Sequence, residues 1–205
     1  MRSRLSLGLL LYSVVFFLAG CAAFGVRESN DPMVKLDQAH YLEYQESRPL
    51  AADKMIHQAK AICEERKDDK CLGMVFKSYG RFLNSPGFDN ERWAAPYIKG
   101  AGKFLDPTVT LGNRRQKAIE YETRARELLL KSKDYTEVVN VDNDIAVTYR
   151  HLNDSAQACW WYNRALEDYP AMIAADPNVP MHLPKEFPTY QDYVTSLKKS
   201  LGCSN

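Results

Sequence analysis

The chain is 205 residues long and nearly neutral, with 27 Lys+Arg against 26 Asp+Glu. That balance excludes the strong basic bias of a nucleic-acid-binding domain, and the length suits one domain with an extended arm. With 12 Tyr, 8 Phe and 3 Trp, there is enough aromatic volume to fill a real core.

The first twenty residues have the three parts of an export signal. Arg2 and Arg4 form the positive end, Leu5–Leu18 is an almost unbroken apolar run, and the small residues Ala19 and Gly20 lead into Cys21. The run is about 14 residues, roughly 21 Å as a helix, and falls short of a bilayer core of about 30 Å. Leu18-Ala19-Gly20-Cys21 resembles the lipobox of bacterial lipoproteins. The resemblance implies diacylglyceryl transfer to the Cys21 sulfur, cleavage before Cys21 and acylation of the new amino group. One acyl chain holds a protein to a membrane only marginally, whereas two or three hold it stably. Ala22 stands where enteric lipoproteins retained in the inner membrane carry Asp, so the expected location is the outer membrane, facing the periplasm. Arg2 and Arg4 are the only charges removed with residues 1–20, which leaves 25 Lys+Arg against 26 Asp+Glu.

Residues 21–33 are small and polar, are interrupted by Pro32, and read as a tether; the helical domain is expected over 34–205. Residues 34–48 carry no decisive pattern beyond a short helix. From Pro49, well placed at a first helical position, Ala51, Met55, Ala59 and Ile62 share one face. A polar turn, Glu64–Lys70, separates this helix from the wide apolar stripe Leu72, Val75, Phe76, Tyr79, Phe82 and Leu83, which Asn84-Ser85-Pro86-Gly87 ends. A shorter helix is expected over about 90–104, disturbed by Pro96 and broken by Asp106-Pro107. The next, about 113–132, carries Ala118, Tyr121, Ala125, Leu128 and Leu129. Two more follow, about 136–152 and 155–169, with Asp154 and Gln157 as a capping pair. Pro170, Pro177, Pro180, Pro184 and Pro188 mark a proline-rich arm. Thr189 caps a last helix whose face is Tyr190, Tyr193, Val194, Leu197 and Leu201. No run of period-two strands is present, so the expected fold is all-α, built from antiparallel helix pairs with a C-terminal capping helix.

Four cysteines follow Cys21: Cys63, Cys71, Cys159 and Cys203. An even count in an oxidising compartment points to two disulfides, and four cysteines allow three pairings. Cys63–Cys71 across the polar turn, with Cys159–Cys203 pinning the last helix, is the preferred one.

Residues 139–172 match a 34-residue helix–turn–helix pattern at Ile145, Ala146, Tyr149, Ala158, Tyr162, Ala165 and Pro170, and so resemble a tetratricopeptide repeat. Two positions depart from the family. Asp142 stands where it has an early Trp, and Asn153 stands at the turn glycine. Residues 105–138 give no good second copy, although Leu111-Gly112 is suggestive. One repeat cannot bury its own faces, so the flanking helices must serve as degenerate repeats or caps. The resemblance implies protein or peptide binding, with ligand-facing positions at Asn140, Asn143, Val147, Arg150 and His151. Trp160 lies off the stripe of Ala158, Trp161, Tyr162, Ala165, Leu166 and Tyr169. It is either an interface anchor or packed against the proline-rich arm or the final helix.

No G-x-S-x-G elbow or P-loop is present. His40, His57, His151 and His182 are scattered, without metal-ligand spacing, and Glu64-Glu65 and Asp68-Asp69 read as a solvated turn. Neither a catalytic residue, a metal nor a cofactor is therefore expected. Two roles fit the lipobox together with the repeat-like pair. One is a scaffold or assembly factor for an envelope or secretion complex. The other is an immunity lipoprotein that neutralises a periplasm-delivered toxin such as a phospholipase.

Overall fold

The computed structural model describes residues 28–100 and 102–203. The expected export segment, the lipobox-like residues and Cys21 lie outside these residues. The described residues form eight α-helices and one 3-10 turn, with no strand. In chain order they are α1 (Pro32–Tyr44), α2 (Pro49–Arg66), α3 (Asp69–Asn84), the 3-10 turn Pro86–Asp89, α4 (Glu91–Ile98), α5 (Arg114–Lys131), α6 (Tyr135–His151), α7 (Ser155–Ala175) and α8 (Tyr190–Ser200). The all-α expectation holds.

Three antiparallel pairs carry the architecture: α1 with α2, α3 with α5, and α6 with α7. α2 joins the first pair to the second through α3, α5 joins the second to the third through α6, and α8 lies against α7. The second pair is not consecutive in sequence, because residues 85–113 (3-10 turn, α4 and their loops) are inserted between its helices. Small residues set its spacing. A Cβ on Gly73 would meet the Leu129 side chain at 2.9 Å, and one on Gly80 would meet Glu122 at 2.5 Å and the Ala118 carbonyl at 3.1 Å. These contacts run in opposite sequence directions, as antiparallel helices require.

One turn design recurs. α2 passes to α3, α5 to α6 and α6 to α7 through a residue in the left-handed region followed by Asp: Lys67 (φ 52°), Lys133 (φ 59°) and Asn153 (φ 60°). Each following Asp donates its N–H back to the finished helix, Asp68 to Cys63, Asp134 to Leu129 and Asp154 to Tyr149, at 2.9–3.1 Å. The same Asp then caps the new helix, its Oδ1 accepting from the N–H of Cys71, Glu137 or Gln157. Orphan groups on both sides of the turn are thus satisfied. Of the three, Asn153 enters the left-handed region most easily, as Asn does more readily than most side chains.

Most of the core lies among α1 to α6 and the insertion. Val75, Tyr79, Phe82 and Leu83 of α3 are fully buried at its centre, and a buried Val, Leu or Phe contributes about 1.5–3 kcal/mol relative to exposure. The insertion adds Phe88, Trp93, Tyr97 and Phe104 as a ring cluster against Phe82. A second core, made of Val139, Ala146, Tyr162, Ala165, Met172, Tyr190 and Val194, joins α6, α7 and α8.

Three boundaries differ from the sequence expectation. Pro32 does not interrupt a tether but starts α1, with Asp31 accepting from Met33 N–H at 2.9 Å; proline at a first helical position loses only a donor that had no partner. α4 ends at Ile98 rather than near 104, because Gly100 takes φ 73° and the chain turns so that Phe104 and Leu105 pack on the core. Pro170 does not stop α7, which runs on to Ala175. The turn beyond Pro170 buries Met172 in the second core, which offsets the missing hydrogen bond. Both preferred disulfides are present: Cys63–Cys71 with Cα atoms 5.5 Å apart, and Cys159–Cys203 at 5.7 Å. The second closes a span of 44 residues, worth about 4 kcal/mol on a chain-entropy estimate. The expected Thr189 cap is also formed, its hydroxyl accepting from Asp192 N–H at 3.1 Å.

Candidate functional site

Of the α6 positions carried over from the repeat resemblance, some face open surface and one is already occupied. Asn140 is exposed, with its amide nitrogen 3.3 Å from Glu137 Oε2. Asn143 is not available: its amide donates to the Val139 carbonyl at 2.8 Å and to the Tyr190 hydroxyl at 2.7 Å, so α8 covers it. Val147 is half-buried in a cleft wall. Arg150 is exposed, with Nη1 3.4 Å from the Tyr162 hydroxyl. His151 is exposed, with Nδ1 2.9 Å from Asn84 Oδ1. Trp160 stays 51% exposed on α7, edge-on to Trp161 at 4.8 Å and beneath the Arg164 guanidinium. It does not line the cleft that contains Val147.

That cleft runs between α1, α3 and α6. Two cavities of about 180 Å³ each share Tyr44 and Arg81 in their walls. α1 contributes His40, Glu43 and Tyr44; α3 contributes Lys77, Arg81 and Asn84; α6 contributes Asp144, Val147 and His151. Glu122 of α5 forms part of the floor. Amphipathic spacing puts these groups there. Leu36, Ala39 and Glu43 fall on the inward face of α1, and Ala118, Glu122, Ala125 and Leu129 on that of α5. The two carboxylates therefore occupy positions that helical periodicity assigns to the core.

Burial decides the electrostatics here. Arg81 faces Asp144, Glu43 and Glu122, while Lys77 is paired with Glu137. Glu122 is fully buried, and burial holds its carboxyl well above the ordinary range against the hydrogen bond from Thr148 Oγ1 at 3.0 Å. Burial also raises Asp144, opposed by Arg81 and Lys77. Glu43 is 8% exposed and is pushed by burial up to about 7, opposed by the Ser85 hydroxyl and by Arg81. Burial acts to lower the Arg81 pKa, but Asp144, the Tyr44 phenol, Glu43 and Glu122 outweigh it and raise it. Glu43 Oε1 and Asp144 Oδ2 are buried and have no hydrogen-bond partner. On α1, Tyr44 in the cleft wall is 45% exposed, and Tyr41 is 55% exposed.

A second cluster lies at the insertion. His57 Nε2 is 3.3 Å from Asp53 Oδ1, and the Tyr97 hydroxyl is 3.1 Å from Asp53 Oδ2. An apolar depression walled by Phe104, Leu105, Val109 and Leu111 adjoins it. The aliphatic hydroxyl in its wall, Thr110 Oγ1, accepts the Asn113 N–H at 3.2 Å, so it caps a turn rather than facing the imidazole. The Tyr97 hydroxyl, on Asp53 and the Pro49 carbonyl, ties the insertion to α2. Among the described residues no group of three or more His, Cys, Asp or Glu could hold a metal ion, and no helix is long and apolar enough to cross a membrane.

Of the positions carried over from the repeat resemblance, Val147 and His151 line this cleft; Glu43, Tyr44, Arg81, Glu122 and Asp144 were not among them. The available signal was a carboxylate inside an apolar stripe, as at Glu122. Comparison with family models, with characterised proteins and with solved structures gives no match for the chain.

Proposed function

We propose that the chain is an outer-membrane lipoprotein, anchored through Cys21 and facing the periplasm. Its helical domain binds another protein along the α1–α3–α6 face, as a scaffold or assembly factor for an envelope or secretion complex. The observation that carries this reading is the open cleft itself. Carboxylates with unpartnered buried oxygens and the half-exposed Tyr44 ring line its walls. A domain with no partner gains nothing from leaving polar groups desolvated and unpaired, whereas an arriving chain can pair them. The serial helix pairs resemble the geometry by which tetratricopeptide repeats present a ligand face.

Two experiments test the proposal. Replacing Cys21 with Ser moves the protein from the membrane to the soluble periplasmic fraction, or leaves it unprocessed; a variant still acylated and membrane-bound refutes the anchor. Crosslinked affinity purification of the anchored protein from envelopes recovers subunits of an envelope machine. Recovery instead of a single stoichiometric toxin, to which cells lacking this protein become sensitive, makes it an immunity protein. Recovery of no specific protein refutes protein binding.

A further inference from the structure

We propose that the junction where α3 ends, α5 begins and α6 ends is the docking surface for an acidic segment of the partner protein, whose carboxylates are received by Arg115, Arg150 and His151. This rests on the protein-binding reading above and specifies the chemistry of the segment that reaches this end of the cleft.

The last residues of α3 bring the cations together. The Leu83 carbonyl accepts from Arg114 Nη1 at 2.9 Å, and Asn84 Oδ1 lies 2.9 Å from His151 Nδ1. The start of α5 and the end of α6 therefore meet across two adjacent residues, with Arg115 following Arg114 and Arg150 preceding His151. Arg114 and Arg115 share one carboxylate, Asp89: Arg114 Nη2 bonds Oδ1, and Arg115 Nη2 is 2.6 Å from Oδ2. Arg150 contacts the neutral Tyr162 hydroxyl at 3.4 Å and has no carboxylate partner among the described residues. Asp154, in the turn after α6, accepts the Gln157 N–H as the cap of α7. Even with Asp154 counted, three guanidiniums meet two carboxylates. The adjoining cavity does not cancel that excess, since burial pushes Glu122 and Asp144 toward the neutral form beside Arg81. The field is visible in its effects. Burial, then Arg115 and Arg150, hold the His151 imidazole below its ordinary range, with Asp89 opposing. Burial and Arg115 lower Arg114 in the same way, again against Asp89. Two basic groups depressed by neighbouring cations mark a positive potential, which attracts an anion. The groups are also within reach. Arg150 and His151 are exposed, and an imidazole whose Nδ1 hydrogen points to Asn84 keeps Nε2 for a ligand. A guanidinium presents its fork of donors to a carboxylate in a directed way that an ammonium does not. His151 and Asn84 also line the cavity between α3 and α6, so the junction continues the binding face.

The test titrates the intact, isotope-labelled protein in non-ionic detergent with the peptide acetyl-Glu-Glu-Glu-amide. Control peptides carry glutamine or lysine throughout. The glutamate peptide is expected to shift the resonances of Arg115, Arg150 and His151 saturably, to move the His151 titration to higher pH, and to bind more weakly as salt is raised. Arg115→Gln and Arg150→Gln should each weaken it by about fivefold, the scale of one exposed ion pair. Arg114 still holds Asp89 in the first variant, and circular dichroism confirms that both are folded. Equal binding of the glutamine peptide, tighter binding of the lysine peptide, or an unmoved His151 titration each overturn the proposal. Photoreactive p-benzoylphenylalanine in place of the exposed Gln116, beside Arg115, or in place of Tyr44, in the anchored protein, separates this from the parent reading. Capture of a partner from position 116 supports the junction. A partner captured there although the glutamate peptide fails leaves protein binding standing and refutes the acidic segment. Capture from position 44 alone refutes the junction as the docking surface, and capture from neither position refutes protein binding along this face.

Discussion

Arg126 is the residue whose loss the helical stack should tolerate least. It projects from α5, with Nε 2.6 Å from Asp142 Oδ1 on α6 and Nη2 bonded to Asp168 Oδ2 on α7, and so ties three helices together. Its side chain is 12% exposed, that of Asp142 is 0% exposed and that of Asp168 is 19% exposed. Asp142 Oδ2 has no further partner. Burial pushes the Asp142 carboxyl up to about 7 against the pull of Arg126, so at pH 8 the carboxylate depends on that one guanidinium. Arg126→Met keeps much of the stem and removes the charge. Stranding one member of a buried pair costs about 3–5 kcal/mol, a large part of the roughly 5–15 kcal/mol that holds a domain folded. With a urea dependence of about 2 kcal/mol per M, the midpoint at pH 8 should fall by about 1.5–2.5 M, followed by circular dichroism with the disulfides intact. The additional replacement Asp142→Leu should recover most of the loss, since an apolar substitute for the whole pair is often neutral. A loss below about 1 kcal/mol, or no recovery in the double variant, refutes the claim that this bridge organises the α5–α6–α7 junction.

Three further outcomes follow from the same geometry. Glu43 titrates higher folded than its ordinary 4.5, near 7, chiefly through burial. The folded state therefore binds the proton more tightly, and stability contributed at low pH is lost as pH rises from about 4.5 to 7. Glu43→Gln should remove part of that slope and stabilise the protein at pH 8 by on the order of 3 kcal/mol, read as the melting temperature across pH 5–8.5; an unchanged slope assigns it to other groups. Gly80→Ala places a Cβ 2.5 Å from Glu122 and 3.1 Å from the Ala118 carbonyl, and overpacking of this kind should cost about 1–3 kcal/mol in urea unfolding, whereas an unaltered midpoint means that α3 and α5 are not in close contact. Lys133→Gly should stabilise by about 1 kcal/mol because Lys133 sits at φ 59°, and Asn153→Gly by less; destabilisation by Lys133→Gly refutes the left-handed assignment of the turn.

The helices were legible because each carries its own pattern. α3 reads from its stripe alone, and the caps at Asp154 and Thr189 read from residue type and position. The recurrence of the turn was hidden for a physical reason. The recurring turn, a left-handed residue followed by Asp, occurs at Lys67-Asp68, Lys133-Asp134 and Asn153-Asp154, but residues 85–113 split the hairpin of α3 and α5. No fixed spacing survives that insertion, so residues 105–138 failed as a second copy even though α5 pairs with α3. Asp142, a departure from the family pattern in sequence, is the position that Arg126 bridges to Asp168. A polar residue at an expected core position thus marks an ion pair rather than a missing helix.

The cleft was illegible for a different reason: its groups come from four helices. Glu43, Arg81 and Asp144 each read as an ordinary surface charge, Glu122 alone stands inside an apolar stripe, and only the packing of α1 on α3 and of α5 on α6 brings them together. The α6 positions inferred from the resemblance divide along the same line. Asn143 is bound by Tyr190, so α8 covers that end of α6. Val147 and His151, one and two helical turns further along α6, face the α1–α3 cleft instead. Tyr44, Arg81 and Val147 line the cleft and Asn143 does not, so the first residues to vary in a search for altered binding are those on α1 and α3.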